Sequence, residues 1–361
     1  MMRQQQDNEF DEARPLLRPV ALGDLRLPNR VVMAPLTRCR ATNEDLVPTG
    51  LHAAYYGQRA GAGLIVAEGT WVSAEAIGLP NVPGIYSERQ VAAWRRVTGL
   101  VHALGGRIVL QLWRPGDDSR PVREMSVPDL ERVIAEFGAA SGNARRAGFD
   151  GVEIAANGTH LLARFLNRRL NRRTDGYGRP GHRLLLEIVD AVTAAWDGRR
   201  VGIRLSPYWS AADAPAADRS RAGRPFTADD RTLADYPFTG DDRTLADYDA
   251  LVAELDERPL AYLHLRGPVP GGPVPDFDAF ARYRKLFDGP LIANHGFDRD
   301  SGDAIVGAGL ADAVSFARLF VANPDLVSRF ALGHETAAAD PGAHYTGGAR
   351  GYVDHPIWSA S

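Results

Sequence analysis

"DGVEIAANGTHLLARFL", Asp150 to Leu166, carries one strand, one turn and the start of one helix. It opens on an apolar run to Ala156. That run lacks polar alternation for most of its length, as strands buried on both faces do. Asn157-Gly158 is a turn pair. His160 follows, and then leucines. A strand whose end feeds polar groups into a turn is how a barrel enzyme furnishes a pocket.

The same unit recurs along the 361 residues. Strand-like runs are "NRVVMAP", "AGLIVAEG", "GRIVLQLW", "GFDGVEIA", "RRVGIRLSP", "LAYLHLRG", "GPLIANHG" and "DAVSFARLF". Helical patterns lie between them, among them "SERQVAAWRRVTGLVHALG", "PDLERVIAEFGAASGNARRAG", "HRLLLEIVDAVTAAWDG" and "DRDSGDAIVGAGL". Several begin at Ser, Asp or Pro and end at Gly, as capped helices do. Eight βα units predict an α/β fold, a (β/α)8 TIM barrel in a single domain. A doubly wound sheet would leave fewer strands and a clearer break, and no Pro/Ser linker divides the chain. Residues 1–14 are expected to form a disordered tail and 15–361 the barrel.

Apolar residues make up 45% of the chain, enough for a large core, and the net charge of −3 is spread over both signs. No nucleic-acid or membrane partner is expected. One cysteine, Cys39, excludes an internal disulfide and fits a cytoplasmic protein. "PFTADDRTLADY" (Pro225 to Tyr236) is followed by "PFTGDDRTLADY" (Pro237 to Tyr248), a tandem duplication after the fifth strand. It is either tolerated loop length or a lid over the strand ends.

In a barrel, chemistry sits at the C-terminal strand ends. "IANHGF" closes the seventh strand with a glycine, and "FARLFVANPDL" closes the eighth with Arg318 before a helix. These two loops commonly bind phosphate through backbone N–H groups and a helix start. Gln111, Thr37 and Arg204 close three other strands. Gln and Thr can bond both edges of a planar heterocycle, and an arginine can stabilise an anionic reduced ring. Taken together they describe a flavin mononucleotide (FMN) pocket.

With these residues the chain resembles the Old Yellow Enzyme family of FMN-dependent NAD(P)H oxidoreductases. The resemblance runs from about Arg18 to the C-terminus. It is carried by "LPNRVVMAPLTRCRA", "YYGQRAGAGLIVAEGTWVS", "GGRIVLQLW", "AGFDGVEI", "NRRTDGYG", "VGIRLSP", "GPLIANHGFDRDSGDA", "RLFVANPDLVSRFALG" and "YTGGARGYVDHP", in the family's order. It implies that Pro35, Leu36 and Thr37 meet the flavin, Thr37 at O4 or N5. Gly69 lets the backbone approach the ring, Gln111 bonds the pyrimidine edge, and Arg204 sits at N1/O2. Asn294, Gly296, Ala317 and Arg318 belong to the cofactor site, with Gly296 and Arg318 at the phosphate. Tyr345 lies near the ring's outer edge, and Tyr352 lines the substrate side. NAD(P)H is the implied reductant, and a homo-oligomer is possible.

The departures matter as much. The family's fourth strand ends in a His-x-x-Asn or His-x-x-His pair that bonds the substrate, followed two residues later by a proton-donating tyrosine. Without gaps these positions are Ala155, Gly158 and His160. A gapped alignment keeps Asn157 in the Asn role and still lacks the His, whereas Phe165-Leu166 favours the ungapped register. The missing pair usually seats the nicotinamide as well, which weighs against ordinary NAD(P)H turnover. The third loop, "LQLWRPGDDSRPVREMSVPDLERV", is much shorter than the family's, with Arg114 where a histidine is common. Asp117, Asp118 and Arg120 read as solvated charges, and His295 is unusual between Asn294 and Gly296.

The expected function is FMN-dependent oxidation–reduction of an activated C=C, enone-like or similarly conjugated, on a small molecule of specialised metabolism. His160, with Asn157 and Tyr352, is the catalytic candidate, acting as acid or base near neutral pH. The alternatives are flavin-dependent dehydrogenation, isomerisation or rearrangement without ordinary NAD(P)H turnover, and a non-catalytic flavoprotein.

Overall fold

Each of the eight apolar runs supplies one strand of a closed parallel barrel. The computed structural model describes residues 14–116, 120–158, 160–208, 242–268 and 275–358. A short antiparallel hairpin, β1 (Val20–Leu22) and β2 (Leu25–Leu27), comes first. The barrel strands are β3 (Val31–Met33), β4 (Leu64–Trp71), β5 (Ile108–Trp113), β6 (Gly151–Ala156), β7 (Val201–Leu205), β8 (Tyr262–Arg266), β9 (Leu291–Asn294) and β10 (Ala313–Phe316). Neighbours in sequence are neighbours in the barrel, and β10 returns to β3 with Val314 opposite Val31 and Phe316 opposite Met33. Closure rules out the doubly wound sheet.

Helices fill the crossovers. They are α1 (Gly50–Gly57), α2 (Glu88–Ala103), α3 (Val127–Arg146), α4 (Leu161–Leu166), α5 (His182–Thr193), α6 (Asp242–Asp256), α7 (Phe277–Arg284), α8 (Arg299–Gly307), α9 (Arg318–Ala322) and α10 (Leu326–Leu332). The capping residues act as the sequence suggests. Ser87 and Gln90 bond each other's backbone N–H at the start of α2, and Asp298 and Ser301 do so at α8. Such a reciprocal cap satisfies donors that the first helical turn leaves unpaired.

The hairpin is a feature the strand pattern did not disclose. Leu22, Leu25 and Leu27 are buried with Val32, Leu64, Val66, Val109 and Ile292, so the hairpin packs against the barrel's own strands. Its turn residue Gly23 has φ of 57°, and a Cβ there would lie 2.5 Å from Arg199 O. Only glycine meets both conditions.

Arg14, assigned to the tail by sequence, donates Nη1–H to Phe330 O at 2.7 Å, while residues 1–13 lie outside the described set. The duplicated segment is outside it up to residue 241, and its second copy runs into α6. Among the described residues no helix is long and apolar enough to cross a membrane.

Candidate active site

The barrel's floor beneath the strand ends is a buried polar chain. Glu153 of β6 accepts from Gln111 Nε2 at 2.8 Å, His264 Nδ1 at 2.7 Å and Tyr262 Oη at 3.2 Å. His264 Nε2 meets Ser315 Oγ at 2.7 Å. Burial raises the Glu153 carboxyl, but His264, Arg204 and Gln111 together hold it below its usual value. Burial outweighs Glu153 on His264, whose pKa is lowered. The pair is therefore a carboxylate and a neutral imidazole.

Above that floor lie the expected flavin-facing residues. Arg204 donates Nη2–H to Asn294 Oδ1 at 2.9 Å, and Asn294 Nδ2 donates to Ser315 O at 3.1 Å. Asn294 thus holds the arginine across from β9 to β7. Gly69 sits where β4 slips register against β5, between Ala67 and Thr70. A Cβ at Gly69 would lie 2.7 Å from Trp113 Cε3 and 3.3 Å from Gln111 Oε1, so any side chain there would fill the space beside Gln111. Pro35 is buried, and Leu36 and Thr37 are half-buried just beyond β3.

Arg204 Nε and Ser206 Oγ are buried without a partner among the described residues, which leaves two unanswered donors at one strand end. Orphaned donors, a glycine cradle and a fixed guanidinium fit a planar, acceptor-rich ring.

Gly296 (φ 81°) and the Ala317–Arg318 start of α9 close the adjacent strands β9 and β10. Arg318 is exposed, and its guanidinium has no partner among the described residues, as an anion-holding cation requires. His295 has φ of 90°, rare for a side-chain-bearing residue, and its Nε2 lies 3.4 Å from Arg266 Nη2.

The departures noted in the sequence meet in one place. Trp113 Nε1 donates to His160 Nδ1 at 2.8 Å. The Trp113 ring stacks on Trp71 at 4.3 Å. Leu161 N donates to Arg114 O at 3.1 Å, and Pro115 bridges to His160. Arg114 is pinned to Glu136 of α3 and bonds Ser73 Oγ at 3.2 Å. The short third loop is therefore fastened to the fourth at His160. Burial, then Arg204 and Arg164, push His160 down to about 3. At neutral pH it is an uncharged imidazole. Asn157 O accepts from His160 N at 3.4 Å, and Asn157 Oδ1 has no partner among the described residues. Asp117 and Asp118 lie outside those residues; Arg120 binds Asp129 at the exposed start of α3.

Tyr352 is placed differently from the expectation. It is 0% exposed, stacked on Tyr55 at 4.1 Å, with the Arg38 and Arg40 guanidiniums 5.1 and 4.9 Å from its ring. A ring enclosed by two cations and a tyrosine lines no substrate surface. His355, three residues on, is half-buried, and its Nε2 has no partner among the described residues. Tyr345 is half-buried in the segment that those arginines grip. Arg38 donates to His344 O and Gly351 O at 2.7 and 2.6 Å. Arg40 donates to Ala343 O and His344 O, both at 2.7 Å, and to Thr346 O at 2.5 Å.

Beneath this clamp Glu68 accepts from Arg38 N at 3.1 Å and Tyr56 Oη at 3.3 Å. Burial pushes its carboxyl up from 4.5 to about 7. The folded protein therefore holds the proton more tightly than the unfolded chain. Stability is full below the unfolded value and falls by roughly 3 kcal/mol as pH rises from about 4.5 to about 7. Glu68→Gln is expected to flatten that part of the melting-temperature profile. A slope equal to the parent's would remove Glu68 as its source.

Comparisons with known proteins agree with this geometry. A sequence model described as "NADH:flavin oxidoreductase / NADH oxidase family" matches residues 15–122 and 117–216. The chain is 35% identical to 12-oxophytodienoate reductase 1 of Oryza sativa subsp. japonica, covering 96% of this chain and 93% of that one. It is 33% identical to flavin oxidoreductase hxnT of Emericella nidulans, covering 95% and 97%. Morphinone reductase, solved in complex with tetrahydroNAD, superposes with a TM-score of 0.81 at 35% identity, covering 95% of this chain and 98% of that one. The chain belongs to this NADH:flavin oxidoreductase / NADH oxidase family, the Old Yellow Enzyme family, and is an FMN-dependent oxidoreductase of the ene-reductase type.

Proposed function

We propose that this enzyme reduces the activated C=C bond of a small conjugated carbonyl or related compound of specialised metabolism, in the cytoplasm, with NAD(P)H as reductant. Bound FMN supplies the hydride chemistry. Gln111, Thr37 and Arg204 orient its ring, Gly69 gives it room, and Gly296 and Arg318 hold its phosphate. Tyr345 borders the ring on the side of the clamped segment.

The observation that carries the reading is the placement of His160 just beyond β6, with its Nδ1 engaged at 2.8 Å, where Ala155 and Gly158 offer no side-chain donor. A preorganised donor beside the substrate oxygen stabilises the charge that develops there. An imidazole uncharged at neutral pH does not release a proton as an acid. The proton that completes the reduction therefore comes from water, and His160 polarises and orients. Asn157, with an unanswered Oδ1 two residues beyond Ala155, is the second polar group of this strand end.

Anaerobic mixing tests the scheme. NADPH or NADH is expected to bleach the flavin absorbance, and an enone to restore it. The loss of the pair that seats the nicotinamide favours a second reading, isomerisation or dehydrogenation without nicotinamide turnover. No bleaching with either nucleotide, together with conversion of the substrate by the oxidised enzyme, would select that reading.

A further inference from the structure

We infer that Trp113 is a positioning residue, whose indole N–H fixes His160 as the tautomer that donates from Nε2. This rests on the proposed role of His160 and adds to it the donating atom and the group that selects it. An indole nitrogen carries a hydrogen and no acceptor lone pair, so it can only donate. At 2.8 Å from Nδ1 it requires that nitrogen to be unprotonated. A neutral imidazole carries its one hydrogen on the other nitrogen. Nε2 has no partner among the described residues, so that N–H is available to a ligand.

The surroundings hold the pair rigid. The Trp113 ring is fixed by its stack on Trp71, with planes 26° apart. The His160 backbone is fixed by the bridge to Pro115 and by the adjoining bond from Leu161 N to Arg114 O. The charged groups that act on the ring are Arg204 from β7 and Arg164 from α4. Both disfavour a second proton, so the tautomer is set by the indole and not by titration. The short third loop thus has a function of its own. It carries the tryptophan and the strand-like contact that orient a histidine on the next loop.

The test is Trp113→Phe in the FMN-loaded enzyme, which keeps an aromatic ring against Trp71 and removes the N–H. Long-range nitrogen–proton spectra of the histidine rings report the tautomer directly, with the His160 signals identified by their loss in His160→Gln. The parent is expected to show Nε2 protonated and Nδ1 bare from pH 5 to 8. Trp113→Phe is expected to show a mixture of tautomers and about a tenfold lower kcat for enone reduction, the effect of one hydrogen bond. A parent His160 protonated at Nδ1, or a Phe variant whose tautomer is unchanged, would overturn the inference. The parent spectrum decides even if the variant does not fold. The tautomer spectra do not depend on turnover, so they fail separately from the proposed role of His160.

Discussion

His160→Ala is expected to lower enone turnover by about 10²–10³-fold, the usual effect of removing one preorganised donor at a developing oxyanion. FMN absorbance should persist, because the groups assigned to the cofactor lie on or just beyond β3, β4, β5, β7, β9 and β10 and in the C-terminal segment, and not at the β6 end. The effect should fall on kcat and kcat/KM together, as it does when an interaction is made mainly in the transition state. His160→Gln keeps a donor of different reach and should recover part of the loss. The parent's turnover should show no inflection from His160 between pH 5 and 8, since its pKa is held down to about 3 by burial, Arg204 and Arg164. Turnover of the alanine variant equal to the parent's would remove this histidine from the mechanism.

Glu153→Ala carries the second large effect, on stability. Glu153 is 0% exposed and accepts from Gln111, His264 and Tyr262. Removing it strands three buried donors and leaves Arg204 without its nearby countercharge. The cost of breaking such a buried charged network is about 3–5 kcal/mol. That corresponds to a fall in melting temperature of roughly 4–7 °C for a chain of this size. Loss of Gln111 and Arg204 positioning should also loosen FMN, which fluorescence of the released flavin would register on heating. A melting temperature matching the parent's would mean that these donors find other partners.

The barrel is legible in the sequence because parallel strands are buried on both faces. "LIVAEGTW" and "IVLQLW" announce themselves without alternation, and β4 and β5 are buried throughout. The N-terminal hairpin is not legible, since three-residue strands carry too little pattern. The strand ends point to FMN because each contributes a residue whose chemistry suits one part of it. Tyr352 illustrates the limit of that approach. A motif's place in the chain says nothing about which side of the backbone a ring takes, and here Arg38 and Arg40 draw it inward. Two arginines in "LTRCRA" are a signal for such a clamp, because buried guanidiniums must find several acceptors. The indole–imidazole bond joins positions 47 residues apart and has no sequence signature. Local reading finds both residues and not their partnership.

The fastening of the third loop to the fourth has a consequence for exchange between relatives. A long third loop grafted onto this barrel would carry away Pro115, the bridge to His160, and the Arg114 carbonyl that receives Leu161 N. Restoring the family's His-x-x-Asn pair alone would place new side chains beside a histidine still tethered to Trp113. The two loops therefore behave as one cassette. Chimeras that swap them together should keep a working pocket, and those that swap either alone should not.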